Sequence, residues 1–340
     1  MSVVVATGAR GPAGLRAVDT AFLLRASAPV VRGAPLVDAD GERVTMGFLP
    51  VLDPRLPGIE RSRVLAEAAL LEVALGLGAG ASALRAHLAL AFDAPHGDDA
   101  GDAPLAGDLG RFLGRHVASL DVAVEARGAA SAAYLVPDAL AALDAGTIDV
   151  AIVGGVHSDH DPRRIARLDA QGRIFRPDRL DALIPGEHAA FVAIMRSDVA
   201  RRARLTAMAE VRAVATGWER ARPDNDESAL VAAVSPAAVR QAQRASGGEA
   251  IGWVVTDLTF ETYRHLELSA ATTRTQDGFC EPQVFDHPAQ RVGHLGAAAL
   301  PLGMLYVAEG LLRGFAPHPR AMVLAGSDGG ERGAIVLGAA

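Results

Sequence analysis

The chain has 340 residues, enough for two core-sized units or one large α/β domain. Half of them are hydrophobic and 21% are charged, which excludes disorder; with aromatics at 4%, the core must be built from Ala, Val and Leu. A net charge of -7 argues against a general nucleic-acid footprint, and the single cysteine, Cys280, excludes an intramolecular disulfide and a multi-cysteine metal site. No lysine occurs, so all 33 basic side chains are arginines. Schiff-base chemistry, lysine-held pyridoxal phosphate and the Walker P-loop are therefore excluded.

In chain order, Ser2 to Ala6 is a short apolar run broken by Thr7, Gly8, Arg10, Gly11 and Pro12, without a signal-peptide pattern. No uncharged apolar stretch reaches the roughly 18 residues needed to cross a membrane, so a soluble, cytoplasmic protein without membrane contact is expected. Gly8 to Gly14 follows a strand as a dinucleotide loop does, but the glycine spacing is wrong and Pro12 removes an N–H; it reads as a turn. Asp93 to Gly107, dense in Asp, Gly and Pro, reads as an exposed loop, as does Trp218 to Ser228. Ala129 to Ala145 reads as a helix stopped by Gly146, followed by a buried strand over Ile148 to Gly155. Ser131 lacks the glycine-flanked elbow of a hydrolase nucleophile. His157 and His160, with Asp159 and Asp161, could start a metal site; no third ligand follows at a recognised spacing, so a polar loop and no metal are expected.

Ala189 to Met195 reads as a further strand, and the arginines of Asp198 to Arg204 as a solvated connection between two halves, 1–200 and 201–340. Cys280 lies among acidic neighbours that raise a thiol pKa, so it is a poor nucleophile. His294 precedes an Ala-rich helix over Ala297 to Leu312, stopped by Gly314, and strands follow at Ala321 to Gly326 and Gly333 to Gly338. Helix, buried strand, loop, strand thus occurs twice, the signature of a duplicated α/β unit with helices between and outside two sheets.

The order of these landmarks resembles the thiolase-like superfamily, and within it the β-ketoacyl synthases. Gly128-Ala129-Ala130-Ser131-Ala132 through Gly154-Gly155 is similar to the nucleophile segment, and Arg176 through Pro185-Gly186-Glu187-His188 to the stretch ending in the Gly-Glu-Gly-Ala turn. Gly293-His294 is similar to the second catalytic-histidine motif, and Ser327-Asp328-Gly329-Gly330 to the C-terminal Gly-Phe-Gly-Gly loop. The resemblance implies an α/β fold of two duplicated halves in a five-layer αβαβα sandwich, usually paired as a dimer.

The family's chemistry uses a cysteine thiolate, two histidines and backbone N–H groups that hold an oxyanion. Counting back from Gly154 puts Ala129 at the cysteine position. The first histidine is matched by Asp257, the gating phenylalanine by Asp328, and only His294 survives. Asp328 would repel an oxyanion. No catalytic residue and no cofactor is expected, and the positions matching the family site are Ala129, Asp257, His294 and Asp328. Gly8 to Leu15, Val255 to Leu258 with Glu261, and Ala325 to Ala334 are similar to a compact subgroup of thiolase-like accessory proteins associated with type VI secretion toxins. The resemblance therefore implies an inactive scaffold that binds a protein such as a secreted effector. Two alternatives are a partner subunit of an active synthase, like the chain-length factors, in a homodimer or heterodimer, and an acyl-handling enzyme using His294 with Asp257.

Overall fold

The computed structural model describes residues 1–56, 58–94, 103–220, 222 and 234–340. The first half contributes strands β1 (Ser2–Arg10), β4 (Arg85–Ala91), β5 (Ser119–Glu125), β6 (Val150–Ser158) and β7 (Glu187–Arg196). The second half contributes β8 (Ala209–Trp218), β9 (Ile251–Thr256), β10 (Phe279–Asp286), β11 (Arg320–Gly326) and β12 (Glu331–Gly338). They lie in the order β10-β9-β11-β12-β8-β1-β7-β6-β4-β5.

Within each half the third strand is outermost, followed inward by the second, fourth, fifth and first. The pairing sense repeats as well. β4 runs parallel to β5 and β6, as β9 does to β10 and β11, and the remaining pairs are antiparallel. Antiparallel contacts of Ser2, Val3 and Val4 with Val211, Glu210 and Ala209 join the halves. The two expected sheets are therefore hydrogen-bonded into one of ten strands at that seam. Two short strands, β2 (Arg32–Val37) and β3 (Arg43–Met46), form a separate small sheet.

Two helices sit between the halves. α4 (Ser131–Asp144) touches β4 and β6 on one side and β12 and β8 on the other, and α10 (Ala299–Leu312) likewise packs on strands of both halves. A helix covered on all sides must be apolar all round, and every residue of α10 from Ala299 to Gly310 is buried. The outer layers are α2 (Gly58–Gly76) with α3 (Ala103–Leu113) over the first half, and α7 (Val234–Ala245) with α8 (Thr262–Arg274) over the second. Helix, sheet, helix, sheet, helix is the five-layer sandwich that the sequence resemblance implies. Its interior is mostly Ala, Val and Leu, with Trp253 and Phe191 among the few large buried rings.

Two loop readings need correction. Residues 103–107 open α3 rather than continuing a loop, because Leu105, Leu109 and Leu113 recur at helical spacing and are buried; residues 95–102 lie outside the described residues. Of Trp218 to Ser228, Trp218 closes β8, and residues 221 and 223–228 lie outside the described residues. Of the Gly8 to Gly14 segment, Gly8 to Arg10 still belong to β1, and the turn is confined to Gly11 to Gly14, closed by paired backbone bonds between those two glycines. The flanking N–H groups of Ala9 and Ala17 donate to Glu72 at 3.0 Å, where an anion cradle would need them free. Among the described residues, no helix is long and apolar enough to cross a membrane.

Candidate functional site

β6 and β7 run antiparallel with His157 opposite His188 and Ser158 opposite Glu187. Directly paired residues share a face and neighbours along a strand alternate, so this register separates two polar networks. On one face Glu187 accepts from Arg61 Nε (2.7 Å) and Nη2 (2.6 Å), from the Leu49 N–H (2.7 Å) and from Ser158 Oγ (3.1 Å). Both charged side chains have zero exposure.

The other face carries the histidines. His157 Nδ1 lies 2.6 Å from Asp93 Oδ2, and that carboxylate also accepts from Arg164 Nη1 (2.8 Å) and the Ala297 N–H (3.0 Å). His157 Nε2 lies 2.9 Å from Asp159 Oδ2. His294, delivered from the other half after Gly293, places Nδ1 3.3 Å from the same oxygen and packs its ring edge-on against His157 at 4.6 Å. Burial alone would lower the His157 pKa, but Asp159 and Asp93 outweigh it and push it up to about 10. Burial would likewise raise Asp93 and Asp159, yet His157 holds both well below the usual carboxylate range, with help from Arg164 and His294 respectively. His188 is moved the other way: burial, reinforced by the positive charge on His157, pushes it down to about 3. It is neutral, with Nε2 3.2 Å from the Val292 carbonyl. Gly296 is required here, since at φ +46° it lies where a Cβ would collide with His157 Nδ1.

This cluster corrects the polar-loop reading of His157 and His160. His157 is inside a fully buried strand, and His160, Asp159 and Ser158 are buried behind it. The signal present in the sequence was His-x-Asp at strand spacing; the third member lies 135 residues from Asp159 and no local pattern reveals it. Asp93, also missed, was hidden in a stretch whose composition reads as loop.

Of the four positions matched to the family site, His294 belongs to this cluster, while Ala129, Asp328 and Asp257 lie outside it. Ala129 is buried in the turn that leads into α4, after Gly128 in the left-handed region at φ +84°. The Gly128 N–H and Ser131 Oγ both donate to the Phe92 carbonyl, so this turn is tied to the residue preceding Asp93. The next amide, Ala130 N–H, donates to Ser327 Oγ at 3.0 Å. Asp328 is bound by Arg173 through both oxygens, at 2.6 and 3.2 Å, and Arg173 also grips Glu261 at 2.7 Å. The Arg173 guanidinium holds the Asp328 carboxyl below its usual range. The expected repulsive charge is therefore compensated by an arginine from the other half. Asp257 does not meet His294. Its oxygens accept from Arg264 (2.8 Å) and the Gly326 N–H (2.9 Å), and it lines a separate small cavity of about 40 Å³ with Leu258, Leu268, Ala271 and Leu324. The carboxylate beside His294 is Asp159.

These halves, the central helix pair and the turn at the start of α4 define a thiolase-like, ketosynthase-like fold. No protein-family model matches the sequence, and no curated protein matches it. Among solved structures the chain is similar to the ketosynthase from module 6 of the bacillaene synthase from Bacillus subtilis 168, at 17% identity and a TM-score of 0.80, covering 100% of this chain and 72% of that one. It is similar to the ishigamide ketosynthase/chain length factor at 17% identity and a TM-score of 0.82, covering 100% and 99%. A type II polyketide-synthase acyl-carrier protein in complex with its ketosynthase, AntDE:AntF, matches at 13% identity and 0.80, again covering 100% and 99%.

Proposed function

We propose that this chain is a ketosynthase-like subunit that forms no acyl-enzyme and works through a protein partner, an active ketosynthase being the partner. The observation that carries this reading is Ala129. A condensing enzyme holds its acyl chain as a thioester and binds the developing oxyanion with preorganised N–H groups. A methyl group has no lone pair with which to attack, and the adjacent Ala130 N–H is occupied by Ser327.

The ends of the sheet support a partner. β10 carries Pro282, which has no N–H to offer a further strand. β5 has no proline and exposes Val122 and Val124; among the described residues it pairs only with β4. An apolar open edge invites a further strand. The similarity to the ishigamide ketosynthase/chain length factor supports a ketosynthase as its source. An adaptor for a secreted effector would share both the missing nucleophile and the open edge, and is separated by experiment.

The tagged full chain is co-expressed with the ketosynthases of its own organism and the complexes are sized by light scattering. The expected result is a heterodimer that Val122→Arg with Val124→Arg dissociates, and no mass added to this chain after incubation with acyl-CoA or acyl-carrier protein. An acyl adduct on this chain would overturn the non-condensing reading. A stable complex with a secreted effector, and none with a ketosynthase, would replace the synthase partner by the adaptor role.

A further inference from the structure

The orientation of His157 is fixed from one side. Its Nδ1 faces Asp93, and Asp93 is itself held by Arg164 and the Ala297 amide. The carboxylate on Nδ1 fixes the ring and turns Nε2 toward Asp159, where a metal ion would take the place of the Nε2 proton. Nε2 is buried and, although 2.9 Å from Asp159 Oδ2, lacks the alignment of a hydrogen bond; it finds no hydrogen-bond partner among the described residues. Asp159 Oδ2 accepts the Gly186 N–H at 3.1 Å, and His294 Nδ1 approaches the same oxygen. The three donor atoms lie within 4.8 Å of one another, the one such group of three among the described residues.

We propose that His157, Asp159 and His294 bind a divalent transition-metal ion, with Asp93 as the positioning residue that orients His157. Donors about 2.1 Å from a common ion lie about 3–4 Å apart, so only small shifts of these side chains are needed. Two imidazoles and one carboxylate suit Zn²⁺ or Fe²⁺ rather than Mg²⁺ or Ca²⁺, which take oxygen ligands. A carboxylate behind a ligating histidine is the recurrent outer partner of such sites. His157 and Asp159 are buried, whereas the His294 side chain is 28% exposed, so the ion has a route in and three protein ligands leave it an open position. The sequence reading expected no metal because it sought a third ligand nearby; the fold brings that ligand from the opposite half. The proposal is independent of the partner reading above and holds whether or not a ketosynthase binds.

The full chain, purified without a polyhistidine tag and stripped with chelator, is titrated with Zn²⁺ and with Co²⁺. Bound metal is counted by mass spectrometry after desalting, and the ligand-field absorption of Co²⁺ reports its donors. One ion per chain is expected, with a melting temperature that rises with Zn²⁺ concentration. His294→Ala, at the partly exposed member, and Asp159→Asn should each lose the ion while circular dichroism shows the fold retained. His116→Ala, outside the cluster, should keep it, and Asp93→Asn should weaken binding about 10–100-fold. No ion retained by the wild-type chain, or equal binding by the wild type and a folded His294→Ala variant, overturns the site.

Discussion

Replacing Arg61 by methionine removes one partner of an ion pair that has no access to water, while leaving a side chain of similar length to fill the space. Glu187 would keep its bonds from Leu49 and Ser158 but lose both guanidinium contacts, and the Leu49 and Asp53 carbonyls would lose the donors that reach them at 3.2 and 2.9 Å. An uncompensated buried charge of this kind costs about 3–5 kcal/mol. Unfolding entropy scales with length, giving about 0.7 kcal/mol/K for this chain, so the melting temperature should fall by about 4–7 °C. Urea unfolding at 25 °C gives the free energy directly. The double variant Arg61→Met with Glu187→Gln removes the stranded charge and should be more stable than Arg61→Met alone, with a coupling of at least about 2 kcal/mol. A loss below about 1 kcal/mol in Arg61→Met, or simple additivity in the double variant, would refute the view that this carboxylate depends on its arginine.

Ser327→Ala leaves the buried Ala130 N–H without its acceptor and should cost about 1–3 kcal/mol in urea unfolding. Ala129→Cys should supply a thiol without supplying synthesis: product analysis with acyl and malonyl donors should find no condensation, because Asp257, the residue the sequence resemblance matches to the first histidine, is a carboxylate tied to Arg264 and Gly326. Glu72 supplies a pH test. Burial raises its folded-state pKa against the opposing bonds from Ala9 and Ala17. Its contribution to stability is therefore fully present below the unfolded value near 4.3 and is lost as pH rises through the higher folded value. The stability of the wild type relative to Glu72→Gln, read from urea midpoints, should fall across that interval and be flat above it.

The duplicated architecture was legible because burial leaves a strong mark on sequence. Ile148 to Gly155 and Ala321 to Gly326 are near-continuous apolar runs, each preceded by a helix rich in small residues, and such runs have few other uses. Counting along those landmarks assigns Ala129, Asp257, His294 and Asp328 to the family positions, but it says nothing of their partners. Arg173 reaches Asp328 across 155 positions and Arg61 reaches Glu187 across 126, and nothing in local composition distinguishes either arginine from the other basic residues of the chain. His157 and Asp159 were visible as residues and misjudged as environment, since polar side chains after a glycine pair ordinarily face water. Only the register of β6 against β7 turns His157 inward, and Asp159, one residue past the end of β6, is buried beside it.

The seam between the halves also sets a timetable for synthesis. β1 is among the first segments to leave the ribosome, yet its strand partners are β7 and β8, beginning at Glu187 and Ala209. At about 5–20 residues per second, its backbone waits roughly 10–40 s for those partners. α2, which packs against β1, is complete by Gly76 and can shelter one face of that apolar strand much sooner. The order of emergence thus makes the β1–α2 contact available long before β1 finds a strand partner, while β4, β5 and β6 can already pair with one another, so the centre of the sheet is joined after its first-half edge.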